Sequence, residues 1–394
     1  MTDTPGALDG IRVLDFSQMM LGPFATQLLA DLGADVVKVE RPGVGEWERG
    51  LELGGRLLNG VSSAFLAMNR NKRSVAVDLK SPAGRDAILS VAAGFDVVVE
   101  NFRPGVMARL GLGYDDVVAV RPDVVYCSGS GWGQDTTYAR ENRPGQDLLV
   151  QAMSGLAANA GRAGEPPVVA GTSVSDAVGA LTLGNGILAA LVARERTGRG
   201  QRVEVDLFHS TIAIMCQEIA AMVNQEQDYE RSAAGIAQPW LAAPYGIYAV
   251  ADGAVAIAMG DLDRLSAVVG GDFAGLDGWL DRDEIKSALD HLVAARSADE
   301  LVAALTGAGL WAARVRTMRE AVDELRADAS PLLVTVDVPD TGEVELIGCP
   351  ITLSGTPWTQ RRRPPLVGEH TDEVLAAALP PAEIAALRAA GAIR

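Results

Sequence analysis

The histidines and cysteines of this sequence, the residues best suited to metal or redox chemistry, are widely spaced. They are His209, His291, His370, Cys127, Cys216 and Cys349. No HExxH string and no CxxC pair joins any of them. We therefore expect no metal site and no disulfide, and the cysteine usage fits a reducing cytoplasm.

Two aspartates stand at the predicted starts of helices, where a carboxylate has either a structural or a chemical role. Asp176 follows Ser173 and Ser175 in GTSVSDAVGA (171–180), and Asp147 lies in PGQD (144–147). An aspartate at a helix start commonly caps the helix by accepting hydrogen bonds from its free amides. It can also act as a nucleophile in covalent catalysis. Position alone favours the cap for Asp176 and leaves the role of Asp147 open.

A nucleotide site is the next chemistry to test, because Glu40 ends the second predicted strand and an acidic residue there can bind a ribose diol. The glycine fingerprint is missing. The segment 14–24 holds one glycine, and GSGWGQ (129–134) does not fit GxGxxG. The sequence also lacks a GxxxxGK[ST] loop and a GxSxG elbow. These absences disfavour a nicotinamide-dependent dehydrogenase.

The elements that position these residues alternate between strand and helix over the first half of the chain. Continuous Val and Ile runs predict strands that are buried on both faces of a parallel sheet. The predicted strands cover 11–16, 36–40, 74–79, 96–100, 124–128 and 201–207, and the predicted helices cover 23–32, 82–93, 146–157, 176–196 and 209–224.

The second half of the chain mixes strands and helices without a repeat. We predict a hairpin over 245–250 and 255–259, helices over most of 264–328, strands at 332–338 and 343–347, and a helix over 380–394. The polar stretch 225–231 marks a domain boundary. The predicted domains are 1–225, 226–335 and a returning segment, 336–394.

Composition excludes some classes of protein. The formal net charge of −17 is the opposite of the basic footprint that nucleic-acid binding needs. Residues 1–10 lack the features of a secretory signal. The apolar stretch 177–193 is interrupted by glycines, which favours a core helix over a membrane span. The expected location is the cytoplasm.

Several longer strings resemble the family III CoA transferases, which include formyl-CoA and carnitine CoA transferases and have α-methylacyl-CoA racemases as a close branch. The strings are LADLGADVVKVERPG (29–43), NRNKRSVAVDLKSPAGR (69–85), VVVENFRPGVMARLGLGY (97–114), GSGWGQ (129–134), GTSVSDAVGA (171–180) and RERTGRGQRVEVDL (194–207). The resemblance covers about the first 210 residues, and PYGIYAVADGAVAIA (244–258) extends it into the second half. It implies an α/β fold with a Rossmann-like large domain, a smaller α+β domain and an interlocked, ring-like homodimer.

The resemblance also implies that Asp176 is the catalytic nucleophile. A carboxylate that attacks an acyl-CoA thioester gives an acyl-aspartyl anhydride, and the released CoA thiolate then gives an aspartyl-CoA thioester. We expect the amides at the helix start to lower the pKa of Asp176 and keep it ionised.

By the same resemblance, six residues bind CoA, with cations for its phosphates and apolar side chains for its adenine. They are Arg41, Val77, Lys80, Asn101, Phe102 and Arg109. The segments 47–60 and 238–240 either shape the acyl pocket or contribute packing aromatics. CoA enters as part of the substrate, and no other cofactor is implied.

Gln146 separates transferase from racemase. Racemases of this branch carry a His-Asp pair where this chain has Gln146 and Asp147. Gln146 cannot exchange an α-proton, whereas in the transferases a carboxylate near Asp147 assists. The segment 258–265 offers no counterpart of the racemase glutamate, and 260–263 lacks the glycine-rich flap of formyl-CoA transferases. We therefore predict a homodimeric CoA transferase acting on an acyl-CoA and a carboxylic acid. The alternatives are a racemase and a non-catalytic acyl-CoA-binding protein.

Overall fold

A computed structural model describes residues 5–394. The strands are β1 (Arg12–Asp15), β2 (Asp35–Glu40), β3 (Lys72–Ala76), β4 (Val97–Glu100), β5 (Val125–Ser130), β6 (Gln201–Asp206), β7 (Gly246–Val250), β8 (Gly253–Ile257), β9 (Ala312–Arg314), β10 (Leu333–Val338) and β11 (Gly342–Ile347). The helices are α1 (Leu21–Asp31), α2 (Ser63–Met68), α3 (Pro82–Ala92), α4 (Val106–Arg109), α5 (Tyr114–Val120), α6 (Thr137–Arg140), α7 (Asp147–Met153), α8 (Val174–Thr197), α9 (Leu207–Ile214), α10 (Cys216–Gln225), α11 (Leu262–Val269), α12 (Arg282–Val293), α13 (Ala298–Gly307), α14 (Met318–Ala327), α15 (Thr371–Ala376) and α16 (Pro381–Ala389). Short 3-10 helices lie at Trp47–Gly50 and Ala157–Asn159.

The first six strands form one parallel sheet in the order β3-β2-β1-β4-β5-β6. This is the order of doubly wound dinucleotide-binding folds. Neighbouring residues of a strand belong to different core clusters: Val36 packs on one face and Val37 on the other. The predicted α/β fold is therefore confirmed, and β1 to β4 are buried on both faces as predicted. The edge strand β6 is exposed or half-buried along its length, which corrects that prediction for residues 201–206, because no further strand covers this edge within the described chain.

The chain packs into two compact units. The first contains residues 5–150 of the described chain together with 173–211 and 328–394, and the second contains 151–172 and 212–327. In the second unit, the antiparallel strands β7, β8 and β9 share a core with α11, α12 and α13. The predicted domain boundaries at 225 and 335 stay a prediction, because compact packing does not establish which segments fold independently.

The C-terminal segment covers β3, the edge strand of the parallel sheet. The backbone amide of His370 donates to Ser74 O, and Thr371 Oγ1 accepts from the amide of Ala76. Ile393 forms an antiparallel bridge with Val77, just past the end of β3. An exposed edge strand offers unpaired backbone groups to other chains, and this segment pairs several of them.

The helix α8 runs for 24 residues and ends at Gly198, whose left-handed backbone (φ +68°) suits glycine. Within residues 5–394, α8 is the one helix that could cross a membrane by length and composition. This is weak evidence for a span, because Ala180, Leu183 and Ile187 lie in a buried cluster with residues of the parallel sheet. The same helix carries Asp176 in its first turn.

Candidate active site

The candidate site lies on the first unit, around residues that follow the carboxyl ends of the parallel strands. In open α/β sheets this edge is the usual place for ligands. Arg41 follows β2, Lys80 follows β3, and Asn101 and Phe102 follow β4. The structure thus places four of the six residues predicted to bind CoA beyond the same edge of the sheet.

Asp176 occupies the third position of α8, where its side chain is half-buried. The residue that caps this helix is Ser173, and the Ser173 side chain makes no capping hydrogen bond. The interpretation of Asp176 as the helix cap is therefore wrong. The Asp176 carboxylate therefore does not cap α8.

Asp147 supplies the missing cap from another helix. Its Oδ1 atom accepts hydrogen bonds from the amides of Ser175, at 2.8 Å, and Asp176, at 3.1 Å. Asp147 is the first residue of α7 and is 8% exposed. Asp147 therefore holds the start of α8, and with it the backbone of Asp176, although it precedes Ser175 by 28 and Asp176 by 29 positions in sequence.

The pKa of Asp176 is raised, which corrects the expectation that the helix start would lower it. Partial burial of the side chain and the negative charge of Asp147 together raise the pKa to about 7. The backbone amides of Ser175 and Asp176 donate to the Asp147 carboxylate, so they do not stabilise a negative charge on the Asp176 side chain.

The loop after β5 closely approaches the loop before α7, and this contact positions Asp147 at the start of α7. A Cβ atom on Gly131, which follows β5, would lie 2.3 Å from the Cα of Gly145. The indole of Trp132 donates to Pro144 O at 3.0 Å. Only glycine permits this approach, and it fixes the backbone that leads into α7.

A cavity of about 340 Å³ opens beside this loop. Its lining includes Asn101, Phe102 and Gln146, three residues that the sequence analysis singled out. It also includes Arg103 and Arg143, which that analysis missed. Arg103 directly follows the matched Asn101 and Phe102, so its position in ENFRPG was the available signal.

The residues predicted to bind CoA differ in what they can offer. Arg41, Lys80 and Arg109 are exposed cations. Phe102 is half-buried at the cavity. Val77 is fully buried in the core of the sheet, so its side chain offers no surface to a ligand in this structure.

The amide side chain of Asn101 is engaged within the protein. Its Oδ1 accepts from the amide of Gln18 at 2.8 Å, and its Nδ2 donates to Gln18 O at 2.7 Å. The next residue, Met19, has φ +63°, which is uncommon for a residue other than glycine. Asn101 therefore fixes the loop that follows β1, a role the sequence analysis did not foresee.

A buried ionic cluster, which sequence reasoning missed, joins side chains from β1, β2 and β3 to the segment around the 3-10 helix Trp47–Gly50. Lys72 Nζ contacts Asp15 Oδ2 at 3.1 Å, and Lys38 Nζ lies 3.3 Å from Glu46 Oε1. Burial would raise the pKa of Asp15, but Lys72, Lys38 and two hydroxyl hydrogen bonds lower it to about 2. Burial lowers the pKa of Lys72 to about 8.

The fifth member of this cluster is Glu48, which is 2% exposed. Burial, with the charges of Glu46 and Asp176 adding to it, raises the pKa of Glu48 to about 8. The signal in the sequence was GEWERG (45–50), which places two carboxyl groups two residues apart directly after Gly45. Trp47, between them, is 57% exposed and so is not a packing aromatic within this chain.

The segment Gly260–Asp263 lies in the second unit and has a structural role there. Asp261 caps α11, since its Oδ1 accepts from the amide of Arg264 at 2.9 Å. Over residues 5–394, no group of three His, Cys, Asp or Glu residues is arranged to hold a metal ion.

Comparison with known proteins gives consistent matches across the chain. The model of CoA-transferase family III matches residues 8–371. Succinyl-CoA:glutarate CoA-transferase of Mus musculus is 32% identical over 95% of this chain and 86% of its own length. Succinyl-CoA:mesaconate CoA-transferase of Haloarcula hispanica is 33% identical over 94% and 96%. The crystal structure of a CAIB/BAIF family protein from Brucella suis superposes with a TM-score of 0.81, at 28% identity, over 95% of this chain and 100% of that chain.

Proposed function

The chain belongs to CoA-transferase family III and is an enzyme of that family, and on this premise we propose that Asp176 is the nucleophile that accepts first an acyl group and then CoA. The observation that carries the proposal is the placement of Asp176. It stands at the start of α8 on a backbone held by Asp147, with a half-buried carboxyl group whose pKa is raised to about 7. A carboxylate of raised basicity is a better nucleophile than one at its ordinary pKa.

The proposed reaction begins with an acyl transfer to the enzyme. A carboxylate oxygen of Asp176 attacks the thioester carbonyl carbon of the donor, the carbon–sulfur bond breaks, and CoA leaves as a thiolate. The thiolate then attacks the Asp176 carbonyl carbon of the mixed anhydride. The donor acid leaves as a carboxylate, and Asp176 is left as a CoA thioester.

The second half of the reaction repeats these steps with the acceptor. The acceptor carboxylate attacks the aspartyl thioester, which releases CoA thiolate and forms a second anhydride. The thiolate attacks the acceptor's carbonyl carbon, which gives the new acyl-CoA and restores the Asp176 carboxylate. All electrons and protons balance without an oxidant, a reductant or a metal.

We propose that the enzyme needs no cofactor besides CoA, which is bound as part of the substrate. The exchange rate should therefore be unchanged after the protein is dialysed against EDTA.

Succinyl-CoA is the donor we propose to test first, because the mouse and Haloarcula relatives are both named for it. Isotope-labelled succinate should enter succinyl-CoA through the enzyme, an exchange that requires no knowledge of the physiological acceptor. The racemase and binding-protein alternatives are not favoured, since these relatives are CoA transferases and Gln146 holds no titratable proton.

Covalent labelling tests the nucleophile directly. The protein is incubated with succinyl-CoA, trapped with hydroxylamine or borohydride, digested and analysed by mass spectrometry. We expect the modification on the peptide that contains Asp176. A panel of acyl-CoAs that leaves this peptide unmodified, while exchange proceeds, would remove Asp176 from the mechanism.

We also propose the interlocked homodimer and the cytoplasmic location that the sequence analysis predicts. Leu181 and Val192 support a partner subunit, because they lie three helical turns apart on α8 and are 49% and 51% exposed. Light scattering should give twice the mass of the chain. Interlocked rings should also resist dilution until the subunits unfold.

A further inference from the structure

A cavity of about 480 Å³ in the second unit is lined by three aromatic side chains, Tyr229, Trp240 and Trp279. All three are half-buried. The ring centres of Tyr229 and Trp279 lie 6.0 Å apart, and the two rings are nearly perpendicular, at 85°. Two aromatic walls of the cavity therefore meet almost at a right angle, and the volume between the walls suits a small molecule.

A single guanidinium group ties together the three segments that carry these rings. Arg282, in α12, donates to the backbone oxygen of the residue after Tyr229, at 2.8 Å, and to that of the residue before Trp240. The same guanidinium lies 4.5 Å from the centre of the Trp279 ring. Arg282 does not itself line the cavity. The aromatic walls are thus held in place within the protein, which reduces the conformational entropy that a ligand would lose on binding.

The lining of this cavity carries a negative charge and no positive one. Of the eight described residues that line it, Glu218 is the single one with a charged side chain. Glu218 is half-buried in the first turn of α10, and within residues 5–394 it forms no salt bridge. The remaining polar side chains of the lining are the uncharged amides of Gln217, Gln225 and Gln227. A carboxylate beside aromatic faces attracts a cation and repels an anion.

We propose that this cavity binds a small quaternary ammonium compound, a free molecule with a trimethylammonium group on a short polar stem. The methyl groups give such a cation an apolar surface, so it makes no hydrogen bonds to water that must be replaced on binding. The rings of Tyr229, Trp240 and Trp279 offer the faces that attract it, and Glu218 offers the opposite charge. The proposal does not depend on the role of Asp176.

Choline and its uncharged carbon analogue, 3,3-dimethylbutan-1-ol, test the proposal, because the two molecules have the same shape and differ by one charge. Binding of each to the full chain is measured by calorimetry and by the change in tryptophan fluorescence. We expect choline to bind at least roughly tenfold more tightly than the alcohol.

Two variants locate the site. Glu218→Gln should weaken choline binding by roughly threefold to tenfold, with the larger effect at low salt, and Trp240→Leu should weaken it by about tenfold. The matched controls are Glu300→Gln, which removes a carboxylate from the first turn of α13, and Trp311→Leu, which removes an exposed indole outside this cavity. Both controls, and also Asp176→Asn, should bind choline as the wild type does.

Three results would overturn the inference. One is equal affinity for choline and the alcohol, and another is no binding of choline up to about 10 mM. The third is unchanged choline binding in both Glu218→Gln and Trp240→Leu, because choline would then occupy a different site. If Trp240→Leu fails to fold, Glu218→Gln alone must show the loss of affinity, and wild-type affinity in that variant refutes the site.

Discussion

Asp147 and Glu48 are both buried carboxyl groups that interact with Asp176, but their oxygen atoms have different partners. Asp147 accepts two backbone amides at the start of α8, whereas Glu48 Oε2 has no donor among the described residues. Both are under 10% exposed. Similar burial therefore leaves one carboxyl group with two backbone donors and an oxygen atom of the other with none. The charge of Asp147 raises the pKa of Asp176, whereas burial raises the pKa of Glu48 itself to about 8.

The largest expected effect comes from removing the carboxyl group of Asp176. Asp176→Asn cannot form an anhydride, so succinate exchange should fall by at least roughly a thousandfold. Binding of CoA, followed by calorimetry, should stay nearly unchanged. Exchange within tenfold of the wild type would contradict the assignment of the nucleophile.

The pH dependence of the free energy of unfolding of Glu48→Gln tests whether Glu48 is protonated in the folded protein. In the unfolded chain Glu48 loses its proton near pH 4.5, whereas in the folded protein it keeps the proton until about pH 8. The folded state binds more protons between these values, so this group lowers wild-type stability as the pH rises through that window.

Glu48→Gln lacks this loss. Its free energy of unfolding should therefore gain on the wild type between pH 5 and pH 9, by on the order of a few kcal/mol. Urea unfolding of both proteins at several pH values measures the difference. The same pH slope in both proteins would show that Glu48 is ionised in the folded state.

Gly131→Ala should displace the loop that leads into Asp147 without touching Glu48. The new Cβ would lie 2.3 Å from the Cα of Gly145, and the loop that leads into Asp147 must move. We expect a loss of about 1–3 kcal/mol in the free energy of unfolding and weaker exchange. Gly307→Ala, where an added Cβ meets nothing within 4 Å, is the matched control and should change stability little. Equal stabilities for the two variants would mean that the loops separate without cost.

The smallest expected effect is that of changing Asp147 itself. Asp147→Ala leaves the amides of Ser175 and Asp176 without their acceptor and should cost about 1 kcal/mol of stability. Asp147→Asn keeps an oxygen acceptor but removes the charge that raises the pKa of Asp176. The acidic limb of the exchange profile should therefore move to lower pH in Asp147→Asn. An unmoved limb would leave burial as the sole cause of the raised pKa.

Much of the parallel sheet could be predicted from the sequence, because its strands are short Val-rich runs separated by helices. The predicted 36–40 and 201–207 agree closely with β2 and β6. The helix predicted at 209–224 is in fact two helices that break at Met215, and β9 was missed because it has only three residues. Its pairing with β8 is a long-range contact, which local patterns do not encode.

The candidate site was also predicted only in part. Asp176 was found through a matched string, but its pKa was predicted in the wrong direction, because the acceptor that occupies the helix amides comes from Asp147. The ionic cluster with Lys38, Lys72 and Glu48 was missed for a related reason. Lysine and glutamate are usually exposed, so the sequence predicts them at the surface. Only the fold shows that these three side chains are buried.

The C-terminal cover over β3 has a consequence for biosynthesis. Thr371, which pairs with Ala76, is translated 295 residues after it. At a synthesis rate of roughly 5–20 residues per second, the edge of β3 waits about 15 to 60 s on the ribosome before its cover emerges. During that interval the nascent chain presents an open strand edge to its neighbours. Premature termination before residue 371 would make the exposure permanent, so truncated chains should aggregate even though the segments carrying Asp147 and Asp176 are complete.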